Sequence, residues 1–171
     1  MAKTKQADRL QTISIELDGE DVAGQGKATA FPTSISTAER IGIEIFRVEY
    51  LVEIATLTAL MLAAADTMMF GLTQIEANIP DNNNPHLAGV IDHKELVLMA
   101  APTGPMVQFP LVTEFPEPIL VHPASLYGWQ RGENLGGVMG AVHVKIWFKY
   151  VDLAEKDYTD ILQTIIMQNV I

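Results

Sequence analysis

Two long stretches of period-2 alternation constrain this chain more than any other feature. In residues 41–54, Phe46, Val48, Tyr50, Val52 and Ile54 fall on one face, opposite Ile41, Ile43, Ile45, Arg47, Glu49, Leu51 and Glu53. In residues 138–151, Val142, Val144, Ile146, Phe148 and Tyr150 share one face, and His143, Lys145, Trp147 and Lys149 share the other. A chain that alternates in this way has one face to bury and one to leave in water, as half-buried β-strands do. On the second face of residues 41–54 the character changes from apolar to charged at Arg47. That change predicts a strand whose first part is covered on both sides.

Other segments follow the same logic. Residues 12–17 place Ile13, Ile15 and Leu17 on one face and end at the turn-forming Asp18-Gly19 pair. Residues 28–31 are read as a short edge strand, because Pro32 cannot donate to a ladder. Strands are expected at 67–77 and 95–100, with a loop at 78–85; residues 57–65 are left open between a short helix and a loop. Six prolines between Pro102 and Pro123 predict a long ordered excursion with only short strand pieces, the best of them at 119–122 and 125–129. A glycine turn is expected around Gly132, Gly136 and Gly137. The ending differs in kind: Tyr158, Ile161, Leu162, Ile165 and Ile166 recur at helical spacing behind an acidic first turn. The expected fold is therefore all-β, an antiparallel barrel or two-sheet sandwich with one C-terminal amphipathic α-helix at about 154–167. Residues 1–10 form an arm and 11–171 a single domain, centred on the two long strands.

A length of 171 residues with 49% hydrophobic content is enough for one core. The net charge of −10 opposes a surface that grips phosphates, which needs clustered Lys and Arg. The absence of cysteine excludes disulfides, thiolate metal sites and cysteine catalysis. The start lacks the apolar stretch of a signal peptide, so synthesis in the cytosol is expected. The apolar run at 54–70 is bounded by Glu53, contains Asp66 and meets Gly71, so no transmembrane segment is expected.

Few residues suggest chemistry. His86, His93, His122 and His143, with Asp92 or Glu95, are the candidates for a cupin-like metal enzyme, yet no close His-x-His pair starts such a site. Asp81-Asn82-Asn83-Asn84 offers oxygen ligands for calcium but lacks the glycine and distal glutamate of an EF-hand loop. The glycines at 132–140 precede a strand, whereas a phosphate cradle needs a helix N-terminus. Serines 14, 34, 36 and 125 have no nucleophile-elbow setting. No catalytic residue, metal site or cofactor is assigned, and the chain is not expected to be an enzyme. Tyr127, Trp129 and Trp147 are the aromatics that suit either sugar stacking, in a lectin-like module, or contact with a neighbouring subunit.

The run PILVHPASLY at residues 118–127, a glycine turn and the run VHVKIWFKYVDL at residues 142–153 resemble the terminal part of small jelly-roll coat proteins of icosahedral viruses. The resemblance spans about the last third of the chain. It implies a jelly roll that self-assembles into a virus shell in the host cytoplasm, with itself as chief partner and a second capsid protein as a further one. Pro110, Pro116, Tyr127 and Trp129 are the implied inter-subunit contacts, since a proline-fixed loop loses little entropy on docking. Lys3, Lys5 and Arg9 are the candidates for genome or membrane contact. Shells around single-stranded genomes often use a long, strongly basic arm; this one is short, which implies little direct nucleic-acid contact.

Overall fold

The computed structural model describes residues 9–17, 26–33, 40–53, 67–80, 87–97, 110–133 and 142–168. These form eight strands and one helix: β1 (Gln11–Leu17), β2 (Lys27–Ala30), β3 (Ile41–Val52), β4 (Thr67–Thr73), β5 (Val90–Val97), β6 (Leu111–Val121), β7 (Tyr127–Glu133), β8 (Val142–Asp152) and α1 (Glu155–Gln168). A 3-10 turn (Pro123–Ser125) joins β6 to β7. Every ladder is antiparallel, and the strands form two four-stranded sheets ordered β1-β8-β3-β6 and β2-β7-β4-β5. Among the described residues no ladder joins the sheets, so of the two expected architectures the open sandwich is the one formed.

The pairing is nested: β1 with β8, β2 with β7, β3 with β6 and β4 with β5. Strands far apart in sequence therefore lie side by side. The two longest alternating stretches, β3 and β8, pair with each other in the middle of the first sheet, as their apolar faces demand. Val142, Val144, Ile146 and Phe148 of β8 face Met68, Phe70 and Leu72 of β4 in one buried cluster. Burying about ten such side chains supplies the main stabilisation, at about 1.5–3 kcal/mol each. Tyr50 and Phe70 meet across the sheets with ring centroids 5.2 Å apart.

The face of β3 differs from expectation. Ile45 is opposite Phe148 and Arg47 opposite Trp147, so Phe46 is an extra residue, a β-bulge. The bulge switches the phase of the alternation: Ile43 and Ile45 share the core with Val48, Tyr50 and Val52, while Phe46 lies outside it, under the Lys149 ammonium. The change of character at Arg47 marks this phase switch rather than double coverage.

The proline-rich stretch is also corrected. Leu111–Val121 is one continuous strand despite Pro116 and Pro118. Two conditions make this possible: β6 is the edge of its sheet, and β6 fits residues 115–118 into the interval where β3 carries only Phe46. Proline is tolerated at edges and bulges, where no ladder donor is required.

Three boundaries move. Strand β4 stops at Thr73, whose hydroxyl shares its one proton between the Ile75 and Gly89 carbonyls at 3.1 and 3.3 Å and accepts from the Ile75 N–H at 3.1 Å, closing a turn. Strand β5 starts at Val90, a start the sequence hides because Asp92 and Lys94 on its inward face interrupt the apolar alternation. Gly132 belongs to β7 rather than to a turn. Gly71 is required where it stands, since a Cβ there would sit 2.1 Å from the Asp92 carbonyl oxygen and 2.9 Å from the Trp129 ring.

Helix α1 begins within one residue of its expected start. Its acids Glu155 and Asp157 occupy the first turn, where the helix dipole favours negative charge. It is anchored at that end: the Leu153 N–H donates to the Arg40 carbonyl at 2.9 Å, and Tyr158 lies 6.0 Å from the His122 ring. Ile166 near its other end is 60% exposed. Among the described residues no helix is long and apolar enough to cross a membrane. The expected short helix or loop at 57–65, and most of the loop at 78–85, lie outside the described residues.

Candidate functional site

Two of the four residues expected at a subunit contact, Pro110 and Pro116, lie with several exposed apolar side chains at one edge of the first sheet. Pro110 is exposed immediately before β6, and Pro116 is exposed within its bulge. Val112 and Leu120, on the same strand, are 40% and 37% exposed, and Leu51, beside Val112 on β3, is 41% exposed. The edge also carries two exposed acids, Glu114 and Glu117, of which Glu114 lies 3.7 Å from Arg47. Proline and charge on an edge strand block addition of a further strand, so this edge suits contact through side chains.

The aromatic candidates separate. Trp129 is fully buried, which corrects its assignment as a surface contact or stacking platform. It lies on the outer face of the second sheet, opposite Gly71 and Ala28, with the His93 ring stacked at 6.3 Å. Sequence alone could not separate it from a surface tryptophan, because Gly71, which makes room for it, is remote in the chain. Tyr127, the first residue of β7, is half-buried; burial and then the Glu76 carboxylate raise its phenol above the ordinary range. Trp147 is on the outer face of the other sheet, between the Arg47 guanidinium at 4.7 Å and the Lys145 ammonium at 4.6 Å. Tyr127 and Trp129 thus share the outer face of the second sheet, where Trp129 is buried, and Trp147 stands apart on the other sheet.

Nor do the described histidines converge. His93 points outward beside Trp129, His143 meets the exposed Glu53 at 3.0 Å, and buried His122 accepts the Ala124 N–H at 3.2 Å to cap the 3-10 turn. Asp92, grouped with them in the metal-site reading, faces inward, away from His93 on the same strand. Among the described residues no group of three or more His, Asp or Glu is placed to hold a metal ion. His86 and Asp81-Asn82-Asn83-Asn84 lie outside the described residues, as do Lys3 and Lys5; Arg9 is exposed just before β1.

One polar cluster was not anticipated. On the open side of the sandwich the Lys94 ammonium of β5 donates to the Thr113 hydroxyl oxygen of β6 and to Asp92 Oδ1 at 3.3 Å. The Thr113 hydroxyl donates in turn to Asp92 Oδ2 at 3.0 Å. With the ammonium on its oxygen and its proton on the carboxylate, Thr113 is held as a structural link between sheets. Behind it stands the buried Tyr50 hydroxyl, facing the Asp92 carboxylate. Burial first, and then the negative charge of Asp92, push its phenol well above the ordinary range. The available signal was Asp92 and Lys94 two apart, hence on one strand face, but their partner is in a different strand.

No protein-family model matches the chain, and no curated protein matches it either.

Proposed function

We propose that this chain is a structural subunit that self-assembles into a closed shell of the icosahedral virus type, and that its sandwich is a jelly roll. The observation that carries the proposal is the nested pairing. An eight-strand antiparallel ribbon, folded over on itself, pairs first with last and brings 1-8-3-6 and 2-7-4-5 into two facing sheets. Jelly rolls of eight strands are built in this way and serve in capsid, lectin and cupin proteins. The fold alone does not choose among these, so the surface must.

The surface favours the shell subunit. Sugar stacking needs aromatic rings on a common face, and Trp129 and Trp147 belong to different sheets. Val112 and Leu120 on β6, and Leu51 on the neighbouring β3, are instead solvent-exposed apolar groups, as expected of an edge that another subunit covers. The test is direct. Purified protein imaged by negative-stain microscopy, with size-exclusion chromatography over a range of salt, is expected to show large homo-oligomers with closed outlines. A monomer under all these conditions at high concentration would refute the proposal.

A further inference from the structure

Helix α1 is held to the sandwich at one end. Just before it, the Leu153 N–H donates to the Arg40 carbonyl at 2.9 Å. The Leu153 side chain lies over Gly42, where an added Cβ would be 3.0 Å from its Cδ2. In the first turn Glu155 lies 3.4 Å from Arg40, but both side chains are mostly in water, so the pair contributes little. Tyr158 then sets its ring against that of His122, with centroids 6.0 Å apart. Further along, Ile161 and Leu162 are only half-buried and Ile166 is exposed. The docking of α1 therefore leans on what Leu153 and Tyr158 touch.

His122, directly after β6, is fully buried, and its ring serves two neighbours. One is Tyr158. The other is the 3-10 turn between the sheets, because His122 Nδ1 accepts the Ala124 N–H at 3.2 Å. A backbone N–H can only donate, so Nδ1 is bare and the neutral ring carries its proton on Nε2. A further proton can enter only at Nδ1, where it meets the Ala124 N–H head-on. The cap then breaks, the ring must turn, and a charge is left in a buried place. Among the described residues, the surroundings do little to compensate it. The 3-10 turn and the adjoining Ile41 and Gly42 of β3 carry no titratable group. From α1 it is the Tyr158 ring that faces His122, not a carboxylate. Asp152, Glu155, Asp157 and Asp160 are exposed, as are the cations Arg40 and Lys156, so solvent screens them all.

We infer that His122 is a proton-sensitive clasp for α1: a neutral ring keeps the helix docked, and protonation releases it while the two sheets stay folded. This is independent of the shell-subunit reading. Release opens the ring to water, where a histidine takes up its proton near pH 6.5. The docked form takes that proton only by losing the cap. The released form is thus the one that binds the extra proton, so docking is at full strength above about pH 6.5 and weakens as pH falls below it, by up to about tenfold per unit. At about pH 4.5 the docking equilibrium is shifted by up to about a hundredfold. Release uncovers Tyr158, Ile161 and Leu162, which join Ile166 in one apolar stripe.

Amide hydrogen exchange of the full chain, read by mass spectrometry and corrected for the intrinsic pH dependence of exchange, tests the clasp. From about pH 7.5 to about pH 4.5, protection across residues 156–163 is expected to fall by about ten- to a hundredfold, with β3 and β8 still protected. His122→Asn offers its own acceptor, Oδ1, at about the place of Nδ1 and cannot be protonated. Its α1 protection should not change over this range. Constant protection in the wild type, a parallel loss in α1 and the strands, or a variant that follows the wild-type profile would each overturn the proposal. Should the variant fail to fold, a proton NMR titration of the wild-type imidazoles decides. His122, identified by its nuclear Overhauser contact with the Tyr158 ring, should protonate with the same midpoint as the release of α1. A midpoint apart from that of release would overturn the clasp.

Discussion

Asp92 on β5 accepts a hydrogen bond from the Thr113 hydroxyl on β6 at 3.0 Å, and through it the edge strands of two different sheets are joined. The Lys94 ammonium closes the cluster. The Asp92 side chain is only 10% exposed and that of Lys94 26%, so the surrounding solvent screens this pair weakly. Removing the cation strands a nearly buried carboxylate. Lys94→Met is expected to cost about 2–4 kcal/mol, and Thr113→Val about 1–2 kcal/mol. Urea denaturation checks both: a midpoint unchanged in Lys94→Met would show that the cluster does not hold the sheets together.

The Tyr50 phenol makes folding sensitive to alkali. Its folded-state pKa is raised, by burial first and then by Asp92, so the folded chain holds the proton more tightly than the unfolded one. The resulting stability is complete below the unfolded phenol value of about 10 and is lost as pH rises from there toward the folded value. Tyr127 and Tyr150 are shifted in the same direction with less burial, so their effects are smaller. Tyr50→Phe removes a single buried hydroxyl beside Asp92, so its stability at pH 7 should stay within about 1.5 kcal/mol of wild type. Its unfolding midpoint in a far-UV circular dichroism titration should move to higher pH; a midpoint that stays put would remove Tyr50 as the alkaline trigger.

Gly71 is fixed by the close approach of β5 and Trp129. Gly71→Ala places a methyl group against backbone that has no room to move, and a loss of about 1–3 kcal/mol is expected. Thermal unfolding measures it. A neutral outcome would mean that β4 and β5 are spaced more widely than described.

The two tryptophans should behave differently. Trp129→Ala empties a fully buried position and should cost about 3–5 kcal/mol, whereas Trp147→Ala removes a half-buried ring and its cation contacts, on the order of 1–2 kcal/mol. Fluorescence gives a second readout. In Trp147→Phe the remaining Trp129 should emit at short wavelength and resist acrylamide, and ready quenching would contradict its burial.

Much of the fold was legible because it is local. Strands β1, β3 and β8 declare themselves through alternation, and α1 through its 3.6-residue period and acidic start. What misled was also physical. The bulge at Phe46 shifts the phase of β3 by one residue, which no pattern of period two can show in advance. Prolines in β6 signal the absence of a strand unless the chain is known to lie at an edge, and edge position depends on strand order. Of the residues expected at a contact, Pro110 and Pro116 are exposed, whereas Trp129 was misplaced because its cover depends on Gly71, far away in sequence.

The sequence by itself determined that β1, β3 and β8 are extended, which faces of β1 and β8 are apolar, and that residues 155–168 form an amphipathic helix, because backbone geometry and side-chain period are set by neighbours a few residues apart. Only the tertiary structure decided that first pairs with last, that β6 is an edge and that Thr113 meets Asp92. These are relations between residues brought close by the burial of a common core, and no local preference encodes them.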